Sequence, residues 1–116
     1  MRDGFYVVAA EQDVAEGSQL YIELDGEEIL LCRHEGELYA IGYYCSHAAF
    51  TLEGGSMASG CITCPYHGAE FRLKDGGVEA PPAWEPIKTF PIEIEDGVIG
   101  VCATPVGAAQ DETPGR

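Results

Sequence analysis

Two short segments, Cys45-Ser46-His47 and Cys64-Pro65-Tyr66-His67, constrain this chain more than any other part of it. Each offers one thiolate and one imidazole, and 16 residues separate them. Thiolate sulfur and imidazole nitrogen are the ligands of iron and zinc, so a fold that uses all four must bring the two segments together. Two arrangements compete. A zinc ion would take all four side chains, but its ligands usually come as Cys-x2-4-Cys followed by His-x3-5-His, with like residues paired. A 2Fe-2S cluster of mixed ligation gives both cysteines to one iron and both histidines to the other. Here each pair is mixed and the first has one intervening residue, which favours the cluster; a zinc-binding interaction module is the alternative from another class.

The remaining cysteines and histidine carry weaker signals. Cys61 and Cys64 spell Cys-x-x-Cys, which in a redox dithiol wants a following helix in a βαβ setting. Pro65 and Gly68 make the following residues a turn instead, so Cys61 is expected to be a small buried strand residue. Assigning Cys45 and Cys64 to a metal leaves Cys32, Cys61 and Cys102, an odd number that argues against a disulfide framework and for a reduced, cytoplasmic setting. His34 falls in His34-Glu35-Gly36 between two apolar runs and is expected to be a turn residue, not a ligand.

Length and charge narrow the classes further. At 116 residues the chain is one domain with a modest core. No run of 18 apolar residues exists to cross a membrane, and Met1-Arg2-Asp3-Gly4 leads into no apolar signal-peptide region. A net charge of −14, with six Lys and Arg spread along the chain, excludes nucleic-acid binding, which needs clustered basic side chains. The acidic residues avoid one stretch: from Gly42 to Gly68 the only charged side chain is Glu53. The expectation is an almost neutral, apolar tip on an acidic body, suited to brief docking with electrostatic steering toward a basic partner surface.

Short strands separated by turn residues account for most of the chain. Phe5 to Ala9 reads as a strand, as does Gln19 to Leu24 with Leu20, Ile22 and Leu24 on one face, before the turn Asp25-Gly26. Glu28 to Arg33 and Glu37 to Ile41 form an expected hairpin, and Thr89 to Glu95 and Val98 to Cys102 flank Asp96-Gly97, a strong two-residue hairpin signal. Gly and Pro interrupt every candidate long helix. The predicted architecture is all-β, with two or three small antiparallel sheets forming a sandwich-like base. The domain spans residues 1–102 with an inserted cluster-binding subdomain at about 43–70, and residues 103–116 read as a disordered tail.

The pattern Cys-x-His-x16-Cys-x2-His, followed by Gly68, resembles the Rieske ferredoxins, and Pro82-Ala83-Trp84-Glu85-Pro86 resembles the proline-containing loop beside the cluster in that family. The resemblance covers about residues 5 to 102 and implies the Rieske fold with one 2Fe-2S cluster held by Cys45, His47, Cys64 and His67. High-potential members have cysteines linking the two cluster loops where this chain has Phe50 and Tyr66, and a serine and a tyrosine bonded to sulfur where it has Ala69 and Phe71. Fewer hydrogen bonds to the sulfurs imply a potential toward the low end of the Rieske range, roughly −150 mV. A low-potential, single-domain member resembles the ferredoxin component of bacterial multicomponent aromatic-ring dioxygenases. The resemblance implies a one-electron carrier between an NAD(P)H-dependent flavoprotein reductase and a terminal oxygenase, expected to be a monomer. The chain has no Gly-x-Gly-x-x-Gly for a nucleotide, and His34 alone is too little for the two-histidine, one-carboxylate iron site of an oxygenase. A small Rieske subunit of another oxidoreductase, such as a nitrite reductase, is the alternative within the family.

Overall fold

The computed structural model of the chain describes residues 3–45, 50–66, 68–81 and 85–105. Among them β1 (Phe5–Ala10), β2 (Gln19–Leu24), β3 (Glu27–His34) and β4 (Glu37–Gly42) come first. Four short strands follow, β5 (Met57–Ala58), β6 (Cys61–Thr63), β7 (Glu70–Arg72) and β8 (Val78–Ala80), and then β9 (Thr89–Phe90), β10 (Ile92–Glu95) and β11 (Val98–Cys102). The helical content of these residues is one 3-10 turn at Glu11–Asp13, and no helix is long and apolar enough to cross a membrane. The expected all-β architecture is therefore the observed one.

Three antiparallel sheets result, in the orders β1-β11-β10, β2-β3-β4-β9 and β5-β6-β7-β8. The middle sheet separates two cores, and the period-two geometry of a strand explains how. Along β3, Ile29 and Leu31 enter a core with Val14, Leu38, Ala40, Phe90, Ile99 and Val101, whereas Leu30 and Cys32 enter a second core with Ile41, Leu52, Ile62, Phe71 and Leu73. A strand buried on both faces reads as an unbroken apolar run, which is what Ile29-Leu30-Leu31-Cys32 does. The first core closes the base between the β1-β11-β10 and β2-β3-β4-β9 sheets; the second joins the base to the small third sheet.

Tight two-residue turns set the registers. Asp25-Gly26, Glu35-Gly36 and Asp96-Gly97 have positive φ at both positions, matching the twist of the strands they join. The Glu16 carboxylate accepts the N–H groups of both Glu35 and Gly36 at 2.7 and 2.8 Å, and those two bonds hold its pKa below the ordinary glutamate value.

Two expectations need correction. Thr89 to Glu95 is not one strand: Pro91 has no N–H for a ladder, and the chain changes sheets there. Thr89 and Phe90 pair with Ile41 and Ala40, while Ile92 to Glu95 pair with β11. His34 is not a turn residue either. It ends β3 opposite Glu37, is buried, and its Nε2 accepts the Gly60 N–H at 3.1 Å. That bond ties the base to the β5–β6 turn, so His34 is a structural acceptor between sheets.

Candidate metal centre

Cys45 and Cys64 occupy equivalent places in two adjoining loops. Cys45 follows Tyr44, which bridges to Thr51, and Cys64 follows β6. The Cys45 N–H donates to the Phe50 carbonyl at 2.7 Å, and the Cys64 N–H donates to the Ala69 carbonyl at 2.7 Å. Each cysteine thus opens a loop that returns to it five residues later. In the second loop Gly68 helps the return, with φ of +82° and its own N–H on the Cys64 carbonyl at 3.0 Å. One rung beyond the β5–β6 ladder, the Thr63 N–H donates to the Ser56 carbonyl at 2.9 Å, at the start of the second loop. Gly55 allows that approach, since a Cβ there would lie 2.1 Å from the Thr63 carbonyl oxygen.

Both thiols are buried, Cys45 at 3 % exposure and Cys64 at 1 %, within one core that also contains Ala69 and Phe71. His47, His67 and the Pro82-Ala83-Trp84 part of the proline loop lie outside the described residues, and among the described residues no three potential ligands gather. What is described fits a 2Fe-2S group: two buried cysteine sulfurs, soft ligands suited to iron, open neighbouring loops and share one core. The sequence places one histidine in each closed loop, at the second position after Cys45 and the third after Cys64.

The other thiols stand apart from this arrangement. Burial pushes Cys32 up to about 12. Cys61 lies in β6 as expected but is only partly buried; burial first, then Glu79 and Glu70, raise its pKa. Neither is set up as a thiolate, and no disulfide joins Cys61 to Cys64, so the redox-dithiol option has no structural support.

Above the thiols the surface is aromatic. Phe50 and Tyr66 are 40 % and 58 % exposed and their rings stack at 4.8 Å between centroids. Beside them Tyr43 packs between Tyr21 and Tyr44, at 4.6 and 5.2 Å. Glu53, the one charged side chain of the segment, accepts the Tyr43 hydroxyl at 2.6 Å, and that bond with the carboxylate raises the phenol to about 12. A cavity of about 420 Å³ opens next to Cys45, lined by Glu28, Tyr44, Pro86 and Lys88 among others. The resemblance sets Phe50 and Tyr66 where relatives link the loops, but not the stacking of their rings, and the matched loop closures leave no mark in the sequence: the five-residue spacing from each cysteine to its acceptor carries no distinctive residue type.

Comparisons with known proteins agree with this geometry. Residues 4–91 match the family described as Rieske [2Fe-2S] domain. The ferredoxin component of the naphthalene 1,2-dioxygenase/salicylate 5-hydroxylase systems of Ralstonia sp is 32% identical over 96 residues, covering 83% of this chain and 92% of that one. The ferredoxin of carbazole 1,9a-dioxygenase from Nocardioides aromaticivorans superposes with a TM-score of 0.81 at 27% identity, over 86% of this chain and 98% of that one. A chain in the complex of reduced oxygenase and oxidized ferredoxin of carbazole 1,9a-dioxygenase shares the fold, with a TM-score of 0.79 at 24% identity over 87% of this chain and 94% of that one. With the family matched over most of its length and two buried thiols at the bases of paired loops, the chain belongs to the Rieske [2Fe-2S] domain family and carries one Rieske-type 2Fe-2S centre.

Proposed function

We propose that this protein is the ferredoxin component of an aromatic-ring dioxygenase system, a carrier and not a catalyst. In this reading Cys45 and Cys64 hold one iron, and His47 and His67 hold the other. When bound, the cluster supplies reversible one-electron redox chemistry. The rest would be the work of the chain: the buried cysteines would fix one side of the group in the core, where their burial keeps bulk water from the sulfurs. The aromatic tip offers a nearly neutral docking face on a body of net charge −14. The observation that carries the reading is the pairing of two closed loops, each opening at a buried cysteine and each containing one histidine in sequence. Domain limits of 1–102, with the cluster segment at about 43–70, and a cytoplasmic, monomeric protein belong to the same proposal.

The electron source is proposed to be an NAD(P)H-dependent flavoprotein reductase and the acceptor a terminal oxygenase. Support comes from the relatives: the Ralstonia protein is named a ferredoxin component, and the carbazole ferredoxin forms a complex with its oxygenase. The test is an anaerobic titration of the purified protein followed by mixing with an aromatic-ring oxygenase component. One electron should be taken up per chain, and transfer should slow as salt rises, because the Debye length falls to about 10 Å at 0.1 M. Uptake of no electron, or no transfer to any ring-hydroxylating oxygenase component, would overturn the proposal.

A further inference from the structure

The matched loops are anchored at their inner ends and joined at their outer ends by different means. Inside, Cys45, Leu52, Cys64, Ala69 and Phe71 share one core. Outside, the regular ladder has run out: Tyr44 and Thr51 make a single bridge, and β6 ends at Thr63. Among the described residues each loop is closed by backbone bonds at its own cysteine and not by a ladder to the other loop; local opening of either one would expose its cysteine to water and competing ligands. At this outer level Phe50 meets Tyr66. Phe50 is the residue whose carbonyl closes the first loop on Cys45, and Tyr66 lies within the second loop between Cys64 and its acceptor Ala69. The rings stack at 26° between planes, an attractive geometry for two aromatics. The contact therefore runs from the loop that opens at Cys45 to the loop that opens at Cys64.

We propose that the Phe50–Tyr66 stack is a positioning clasp, a non-covalent link between the two cysteine loops that slows loss of the cluster. The clasp rests on the ligand reading given under the proposed function. Neither ring is a ligand. Their effect passes through the loop backbones, above all through the Phe50 carbonyl bonded to the Cys45 N–H. A stacked pair of this kind shifts a local opening equilibrium by roughly two- to twelve-fold. Two rings acting as one contact must also be coupled, so losing the second after the first should add little.

The test is the rate of cluster loss from purified holoprotein in excess iron chelator, followed by the decay of visible absorption with no partner protein present. Phe50→Leu and Tyr66→Leu keep apolar bulk while removing the stack, and each should speed the decay by roughly two- to twelve-fold. The double variant should be no faster than the faster single one, and Phe50→Tyr and Tyr66→Phe should restore the parent rate. Parent rates in both Leu variants, or independent multiplication of their effects, would overturn the clasp. A Cys64→Ser control separates the two levels. If it keeps the full visible spectrum, the ligand reading fails; if it bleaches while the ring variants decay at the parent rate, the clasp alone fails.

Discussion

The base and the cluster lobe are built from the same chain by different rules. The base uses strands of four to eight residues in β1–β4, β10 and β11, with long registers and an apolar core containing no cysteine. The lobe uses strands of two or three residues, and its core includes Cys45 and Cys64. Its turns depend on close backbone approach: a Cβ on Gly55 would meet the Thr63 carbonyl oxygen, and one on Gly76 would meet that of Ile87, each at 2.1 Å. Arg72 braces the β7–β8 connection through Asp75 and Glu79. The base thus rests on long ladders and a cysteine-free core, whereas the lobe has short ladders and packs its core around the two cysteines, so its order should depend more on the metal centre.

The sharpest way to break that contrast is to remove a cysteine ligand. Cys64→Ser should abolish the cluster, because a hard oxygen ligand replaces a soft thiolate poorly. Amide exchange should then lose protection throughout β5–β8 while β10 and β11 keep theirs. Uniform loss across both sheets would show one cooperative unit and remove the distinction.

A pair of neighbours in β3 sharpens it. Leu30 and Leu31 are both fully buried, one in each core. Either Leu→Ala change should cost about 2–5 kcal/mol in denaturant unfolding, but Leu30→Ala alone should hasten cluster loss to a chelator. Equal release rates in the two variants would mean that the cores are not separately coupled to the centre.

Smaller in energy is the effect of sulfur hydrogen bonding. Ala69 and Phe71 are fully buried in the core that holds Cys45 and Cys64, at the positions where high-potential Rieske proteins carry hydroxyls. Ala69→Ser and Phe71→Tyr add donors that favour the reduced, more negative state. One net hydrogen bond of about 1 kcal/mol corresponds to roughly 43 mV for one electron, from 59 mV per tenfold change. Each midpoint, measured by redox titration, should rise by tens of millivolts; an unchanged or lower midpoint with an intact cluster would place the low potential elsewhere.

The least effect belongs to the base. Glu16 has its folded pKa depressed by the Gly36 and Glu35 N–H groups, so its contribution is present above its unfolded pKa, near 4.5, and is lost as pH falls through the folded value. The Tm advantage of the parent over Glu16→Gln should be small, steady near neutrality and vanish in acid. An advantage that grows as pH falls below 4.5 would reverse this sign.

How far the molecule was legible follows the same division. In the base, alternation in Gln19–Leu24 and the Asp25-Gly26 and Asp96-Gly97 turns marked strands that the structure contains. Pro91 concealed a change of sheet inside an apparently continuous run, and His34 looked like a turn because its acceptor role depends on Gly60, 26 residues away. In the lobe, strands as short as Met57–Ala58 hold too few residues to show a period. Cys45 and Cys64 stand out in the sequence because metal chemistry restricts residue type, and the structure buries both in one core. That Phe50 and Tyr66 lie close together followed from the resemblance, since relatives link the loops there, but the stacking of their rings did not, because ring geometry depends on how the two loops meet.

The central claim is that one iron is held by Cys45 and Cys64 and the other by His47 and His67. Electron paramagnetic resonance of the dithionite-reduced protein, with nitrogen hyperfine couplings recorded on the same sample, tests it most directly. The expected spectrum is a 2Fe-2S signal of low average g-value with two coupled histidine nitrogens. A signal of the all-cysteine type without nitrogen coupling, or a colourless zinc protein with no signal, would contradict it.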